Sequence, residues 1–561
     1  MPESQGSDSR LLIKIIDEKA KLIPTHTFMR YPCEDWEENG YQTMTWKDLA
    51  GAVNKVAYWL DEQLGNSTNN DTIAYLGPND ARYIIMLAGT IKSNRNLFIP
   101  DGRLTKEGAT NLIQFTKCEA WFYAEEDDSL TRELGVFDSG LRMCGLPSLE
   151  WCLDSSTAKI YPYVKTFHDA KFDVVTIIHT SGTTGTPKPI HLTNGYYSAQ
   201  LSYKELSRKH WPKGIVHDAW IGKSMLTSCP PQWLGGIKPL LLSPVFSDCS
   251  AIIPPADATS FGPSVFKKLM QMNMIDGIMC PPLTITQLYK DPESQALLKR
   301  LDYIIYVGAS LDKSIGDDLS MHTKITSVIG STETGPQVDL TYTDRKLWHT
   351  HAYVPENGNR MVPIERSHTV SDSSADLYEL VLDRPKEGAN LYQAAWWNPM
   401  WNGRNTIETN ELYTPVKDSD GQTRWVFTAR KDDLTKLSWL QKFHAHDIET
   451  QIKQHADVAE VLVGGEGRPA PFVIVEMNEG VLKDKGANRL LDELYNGVIA
   501  QSNEKDLDEI RIPKETVMIA KAEKPFKMSF KQTVKRKDVE KDYSQEIEEA
   551  YARLERSNGT K

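Results

Sequence analysis

The sequence predicts an α/β protein: a large N-terminal domain of mainly parallel sheets flanked by helices, followed by a small C-terminal α+β domain. Three observations predict it. Apolar runs of strand length alternate with segments of helical period through most of the chain. Several of those runs stop in loops of Gly, Ser and Thr, as at a cleft along the carboxyl ends of a parallel sheet. Near residue 430 the texture changes to a dense charge cluster, and the segment 434–561 is long enough for a separate small domain.

Residues 1–24 read as a polar leader and a first helix. TMTWKDLAGAVNKVAYWLDEQLG (43–65) places Leu49, Val53, Val56, Ala57 and Leu60 at helical spacing. DTIAYLGPND (71–80) reads as a strand into a turn, ARYIIMLAGTIKS (81–93) as a helix, and 94–104 as a strand and turn. Next come a helix over 105–117 and the strand AWFYAEE (120–126). VVTII (174–178) is a β-branched run suited to a buried strand, and GYYSAQLSYKELSRKH reads as a helix. CSAIIPP (249–255), DGIMCPP (276–282), DYIIYVGAS (302–310) and KITSVIGSTETG (324–335) read as strands that end in turns or small-residue loops. PSVFKKLMQMN (263–273) reads as a helix between two of them. RWVFTARKDDLTK (424–436) is a strand that enters the charge cluster. The expected division is therefore 1–24, a large domain over 25–430, a hinge at 431–433, and a small domain over 434–561.

Composition narrows the function. A chain of 561 residues with a net charge of −12 lacks the basic excess of a nucleic-acid binder. Its seven Cys are scattered from Cys33 to Cys280 without a CxxC pair, which fits free thiols in a reducing compartment. No run has the length of a membrane span, and MPESQGSDSR has no apolar core for a secretory signal. The expectation is a cytoplasmic enzyme of small-molecule chemistry. His349-x-His351 and His444-x-His446 each supply two ligands where a metal site needs three or four, so they read as packing or solvated histidines. WWNPMW (396–401) reads as local packing.

The stretch TIIHTSGTTGTPKPIHLT (176–193) carries the chemistry. A Gly-rich loop behind a buried strand can turn its amides toward one point and cradle an anion. The hydroxyls of Thr180, Ser181, Thr183 and Thr184 add donors, Gly182 and Gly185 give the bends, and Lys188 adds a mobile cation. A polyphosphate is the implied target. The spacing is not that of a Walker P-loop.

HTSGTTGTPKPI resembles the phosphate-loop signature of the adenylate-forming (ANL) superfamily, which includes acyl-CoA synthetases, luciferases and the adenylation domains of nonribosomal peptide synthetases. Further stretches resemble that family in its order, over about residues 25–555. CPPQWLGGI (229–237) resembles the segment beside the acyl pocket, with Trp233 as the bordering aromatic and Leu234 and Gly235 after it. VGASL (307–311) resembles the loop along adenine, carried by Gly308, Ala309 and Ser310, with Val307 at the substrate pocket. IGSTETG (329–335) resembles the Gly-x-Thr-Glu motif: Ile329 and Gly330 by the pocket, Ser331 with the nucleotide, Thr332 toward the α-phosphate, and Glu333 toward Mg²⁺. The resemblance puts Glu411 of TNEL and Arg430 of TARKDD at the ribose, Asp432 at the hinge pivot, and Lys531 of SFKQTVKRK as the catalytic lysine.

The resemblance implies the ANL fold with a mobile small domain. It also implies MgATP-dependent activation of a carboxylic acid to an acyl-adenylate, then transfer to a thiol of CoA or of a phosphopantetheine arm on a carrier domain. IAYLGPNDARY, TETGPQ and TVKRKDVEKDYSQEIEEAY look most like adenylation domains of fungal NRPS-like enzymes. The sequence departs from the family pattern at several places. Glu411 replaces an Asp, Ile329 an aromatic, Ala429 a Gly and Gln532 a Gly. Leu234 stands where enzymes that load α-amino acids keep an Asp, which favours an aryl, alkyl or keto acid. Leu440 stands where relatives keep a Gly beside the thiol tunnel. Two alternatives therefore stay open: adenylation with a non-thiol acceptor, and a non-catalytic nucleotide-binding partner of a synthase.

Overall fold

The computed structural model describes residues 10–154, 158–181, 187–201, 214–256, 261–364, 377–386, 392–431, 434–438, 442–505, 510–528 and 534–558. The chain divides into two compact units. The first holds residues 1–362, 381–408 and 415–427, and the second 363–380, 409–414 and 428–561.

Two sheets organise the first unit. One has six strands in the spatial order Arg142–Leu146, Ala120–Ala124, Thr72–Leu76, Asn96–Phe98, Val174–Ser181 and Pro187–Thr193. All neighbours are parallel except the last pair. The other has seven strands in the order Lys324–Val328, Tyr303–Val307, Gly277–Cys280, Ser224–Thr227, Ser250–Ile252, Thr27–Pro32 and Tyr41–Thr45, parallel up to the last pair. Helices such as Arg82–Lys92, Lys106–Thr116 and Pro263–Gln271 supply the crossovers that parallel pairing requires.

Local sequence explains these elements. The helix Trp46–Leu64 starts at a capping box, with Thr45 and Asp48 exchanging side-chain and backbone hydrogen bonds. It buries Leu49, Val53, Val56, Ala57 and Leu60, the residues whose spacing predicts it. Helix Arg82–Lys92 approaches it so closely at Gly89 that an added Cβ would lie 2.7 Å from Val56 Cγ1. The helix expected after residue 194 begins as Asn194–Ser198, capped by Thr193, and tightens into a 3₁₀ turn at Ala199–Leu201; the rest of that expectation lies outside the described residues.

The strand at 174 runs further than its apolar run suggests. It continues to Ser181 and pairs with Pro187–Thr193, so much of the expected loop is a hairpin. Pro187 and Pro189 are two residues apart on the terminal strand of the sheet. A proline is tolerated there because an edge strand has N–H positions with no ladder partner to lose.

In the second unit, Val458–Gly464, Phe472–Met477 and Val517–Ile519 form a three-stranded sheet. Val461, Val463, Val473 and Val475 enter one core, and Leu462, Phe472 and Ile474 another. This alternation is the period-2 pattern of a sheet covered on both faces. Helices Ala445–Ile452, Ala487–Leu494, Arg536–Asp542 and Ser544–Asn558 surround it. Among the described residues, no helix is long and apolar enough to cross a membrane.

Candidate active site

The parallel strands of the first unit bring several motifs to one edge. Strands Ser224–Thr227, Tyr303–Val307 and Lys324–Val328 run in register, so the segments that continue from them lie together at their carboxyl ends. Those segments are Cys229–Gly235, Gly308–Ser310 and Ile329–Glu333. Gly235 and Val307 face each other: a Cβ on Gly235 would stand 4.0 Å from Val307 Cγ2 and 3.6 Å from Cys229 Sγ. Trp233, Leu234 and Gly235 are half-buried, as are Val307 and Ile329, while Gly308, Ala309 and Ser310 are exposed. Gly308 turns the chain at φ +88°, a conformation that costs glycine nothing.

The Thr332–Glu333 turn is held from several sides. Gly330–Ser331 pairs with Gly335–Pro336 in a two-residue hairpin. Gly330 sits at φ +152°, where a Cβ would come within 2.3 Å of Gly335 O. Ser331 Oγ accepts from the Thr334 N–H at 3.2 Å. Tyr196 OH donates to Thr332 O at 3.0 Å. Asn398 Nδ2 and Trp401 Nε1 each donate to Glu333 O at 3.0 Å. With its carbonyl fixed in this way, Glu333 presents a half-buried carboxylate.

The hairpin of Val174–Ser181 and Pro187–Thr193 meets this turn. Thr180 Oγ1 donates to Glu333 Oε1 at 3.4 Å across 153 residues of sequence. Lys188 pairs with Thr180 across the hairpin and is exposed. The backbone of Ser181 closes the hairpin opposite Pro187. Gly182, Thr183, Thr184 and Gly185 lie outside the described residues.

A third contact ties the two sheets together. The loop after Asn96–Phe98 carries Asp101, whose Oδ2 accepts from Trp233 Nε1 at 3.1 Å. Arg103 donates to Asp101 Oδ1 at 2.7 Å, and its guanidinium lies 5.1 Å from the Trp233 ring centroid. Burial alone would raise the Asp101 carboxyl; the Arg103 hydrogen bonds and charge, with Trp233, outweigh it and hold the pKa below the ordinary value. The Asp101 N–H donates to His179 Nε2 at 3.1 Å. Burial pushes His179 down to about 4, so this imidazole on the first strand of the hairpin is neutral at physiological pH. Gln232 Nε2 donates to Asn79 Oδ1 and Tyr83 OH, both at 2.8 Å, and fixes the same segment from the other side.

The second unit carries Glu411 and Arg430. Glu411 follows Asn410, which is left-handed at φ +60°, and Glu411 Oε2 accepts from Tyr413 OH at 3.0 Å. Arg430 ends the strand Thr423–Arg430 and is exposed. Lys431 binds Glu379 Oε2 at 2.8 Å. Asp432, Leu440, Lys531 and Gln532 lie outside the described residues; the flanks Met528 and Val534 pair as an antiparallel bridge.

Five contributors are not visible in the sequence motifs: Asp101, Arg103, Tyr196, Asn398 and Trp401. The segment WWNPMW does more than pack. Trp396 and Trp397 are indeed buried, but Asn398 and Trp401 of the same segment position Glu333. A cluster of hydrogen-bonding aromatics broken by Asn and Pro is the signal that points to such a role. His351 is buried and its Nδ1 lies 2.6 Å from Asp339 Oδ2.

Comparison with known proteins agrees with this architecture. The AMP-binding enzyme family matches residues 16–366, and the AMP-binding enzyme C-terminal domain matches residues 432–555. The chain belongs to the AMP-binding, adenylate-forming (ANL) superfamily of enzymes. It is 24% identical to a carboxylic acid reductase of Neurospora crassa, over 98% of this chain and 51% of that protein. It is also 24% identical to the isocyanide synthase-NRPS hybrid crmA of Aspergillus fumigatus, over 97% of this chain and 33% of that one. The chain thus spans about half or less of these relatives. In fold it is similar to ATP-bound MatB from Rhodopseudomonas palustris, with a TM-score of 0.69 at 16% identity over 96% of this chain and all of that one. The anthranilate CoA ligase AuaEII in complex with anthranoyl-AMP gives 0.69 at 14% identity, over 95% of this chain and 97% of that one.

Proposed function

We propose that this chain activates an aryl, alkyl or keto acid with MgATP and passes the acyl group to a thiol of CoA or a carrier domain. The observation that carries the reading is the meeting of Thr180, Glu333 and the Trp233 segment at the carboxyl edge of two parallel sheets. In the reaction a carboxylate oxygen of the acid bonds to the α-phosphorus of ATP while the bond from that phosphorus to the bridging oxygen breaks. Acyl-AMP forms and pyrophosphate leaves.

The chemistry is mainly charge neutralisation and alignment of two anions. The loop 181–185 and Lys188 bind the β- and γ-phosphates. Thr332 bonds the α-phosphate, and Lys531 spans the acid's carboxylate and the α-phosphate oxygens. Gly308 to Ser310 flank adenine, Val307 lines the acyl pocket, and Glu411 and Arg430 hold the ribose. Glu333, beside the Thr180 hydroxyl, fits Mg²⁺: this ion takes one or two carboxylates and completes its shell with phosphate oxygens and water. When bound, Mg²⁺ would supply positive charge against the triphosphate. The small domain turns about Asp432 between adenylation and transfer. A role in fungal-type secondary metabolism accords with the names of the fungal relatives.

The test is pyrophosphate release with MgATP across aryl, alkyl, keto and amino acids, with hydroxylamine trapping the adenylate as a hydroxamate. Acid-dependent release together with a hydroxamate is the expected result. ATP binding without release for any acid would favour a non-catalytic partner. Release without transfer to CoA or a carrier protein would favour a non-thiol acceptor.

A further inference from the structure

One face of the seven-stranded sheet carries a buried polar cluster that the adenylation step does not use. Register sets its side chains in rows. Met225, Gly277 and Tyr303 align; Thr227, Met279, Ile305 and Thr326 form the next row; Val307 and Val328 end at the carboxyl edge. The helical segment that starts at Leu234 covers this face. Gly235 meets Val307 at the edge, and residues 238–242 pack deeper, on strands Ser224–Thr227 and Ser250–Ile252. That deeper turn is a π-helix over Lys238–Leu242, a form that often marks functional sites.

Lys238 stands one turn after Leu234 and is 4% exposed. Its ammonium donates to Gln200 Oε1 at 2.9 Å, and its charge acts on His217. Cys249 lies within electrostatic reach as well. Burial holds Lys238 down to about 8, keeps His217 well below its ordinary value, and raises Cys249 to about 12. At neutral pH these three groups are thus a cation, a neutral imidazole and a neutral thiol.

Further buried polar atoms here have no hydrogen-bond partner among the described residues, three of them Gln200 Nε2, Ser243 Oγ and Trp220 Nε1. Ser243 comes one π-turn after Lys238, and its helix contacts the turn that carries Gln200. Trp220 lies against His217, ring centroids 4.7 Å apart. Each of the three can donate. Buried donors are almost always satisfied in native proteins. An ammonium, an amide, an indole and a hydroxyl together suit an acceptor with several lone pairs, and a carboxylate has about four such positions on two oxygens.

We propose that Lys238, Gln200, Ser243 and Trp220 form the far wall of the acyl pocket, and that the acid activated here carries a second, distal carboxylate which they bind. The inference rests on the adenylation reading. Tyr303 to Val307 spans about 13 Å at the usual strand rise. A distal carboxylate therefore reaches the cluster only across a long chain, of the length of suberic or sebacic acid.

The test compares matched acids in the hydroxamate assay: octanoic with suberic, and decanoic with sebacic. For at least one pair the wild type should favour the diacid in kcat/KM by about 30-fold or more, the worth of charge-assisted hydrogen bonds. Lys238→Met should remove most of that preference, chiefly through KM for the diacid, and Lys238→Arg should restore part of it. Gln200→Leu should act in the same direction, and it carries the test if Lys238→Met does not melt cooperatively. A wild type that favours the monoacid in every pair, or a preference that these variants leave intact, overturns the proposal and leaves adenylation standing. No hydroxamate from any acid overturns the adenylation reading and this proposal with it.

Discussion

Replacing Lys238 by Met should make the protein more stable at neutral pH. Burial lowers the lysine from 10.5 to about 8. As pH falls, the unfolded chain takes up this proton before the folded one does. Stability therefore declines between pH 10.5 and about 8, and is flat below, where both states are protonated. The shift corresponds to about 3 kcal/mol against the folded state at pH 7. Methionine has a similar length and no charge, so it removes this cost and keeps most of the packing. Against that gain, Gln200 Oε1 loses the donor it accepts from at 2.9 Å, which costs about 1–2 kcal/mol. The net expectation is a gain of about 1–2 kcal/mol at pH 7 that shrinks and reverses by pH 10.5. Two units need not unfold together, so hydrogen exchange of peptides from 234–247, at both pH values, is the appropriate assay. A variant less stable by the same amount at both pH values would refute the reasoning, because the ammonium would then carry no net desolvation cost. A residue that costs stability is the kind of residue that function retains.

Gly330→Ala should destabilise the first unit by about 2 kcal/mol or more, since its Cβ would meet Gly335 O at 2.3 Å, and adenylation should fall with it; unfolding curves and hydroxamate rates check both. Asp101→Asn should raise KM for the acid about tenfold and leave KM for ATP nearly unchanged, because it weakens the hold on Trp233; equal effects on both constants would remove the positioning role. Lys531→Ala should cut adenylation by about a thousandfold while ATP still binds by calorimetry; surviving turnover would exclude Lys531 from the reaction. His179 is depressed from 6.5 to about 4, so its contribution is complete above pH 6.5 and is lost as pH falls through about 4. His179→Gln should flatten that part of the acid-unfolding profile, measured by melting at pH 7 and pH 4.

Much of the fold is legible in the sequence because its causes are local. Thr45 and Asp48 cap a helix whose apolar period needs no distant partner to be seen. The β-branched run at 174 and the small-residue loops after 307 and 328 announce strands and their turns. Legibility ends where a partner decides the outcome. The strand from 174 reaches Ser181 only because Pro187–Thr193 pairs with it at the sheet edge. The π-turn at Lys238 has no signature in the sequence, since an apolar segment with two prolines carries no periodicity that marks one.

By itself, the sequence determined the family and the order of the motifs, and it offered residue types suited to phosphate, ribose and an acid. Those properties depend on residue identity and short spacing. The tertiary structure alone decided which residues support them. Thr180 meets Glu333 across 153 residues and Asp101 meets Trp233 across 132; Asn398 and Trp401 reach Glu333 across 65 and 68. Contacts at such separations depend on how two sheets bring their carboxyl edges together, and no local pattern encodes that meeting. Lys238 is the plainest case: one Lys in a run of apolar residues becomes a buried cation, beside donors that have no partner among the described residues, only when the helix, the sheet face and the Gln200 turn close around it.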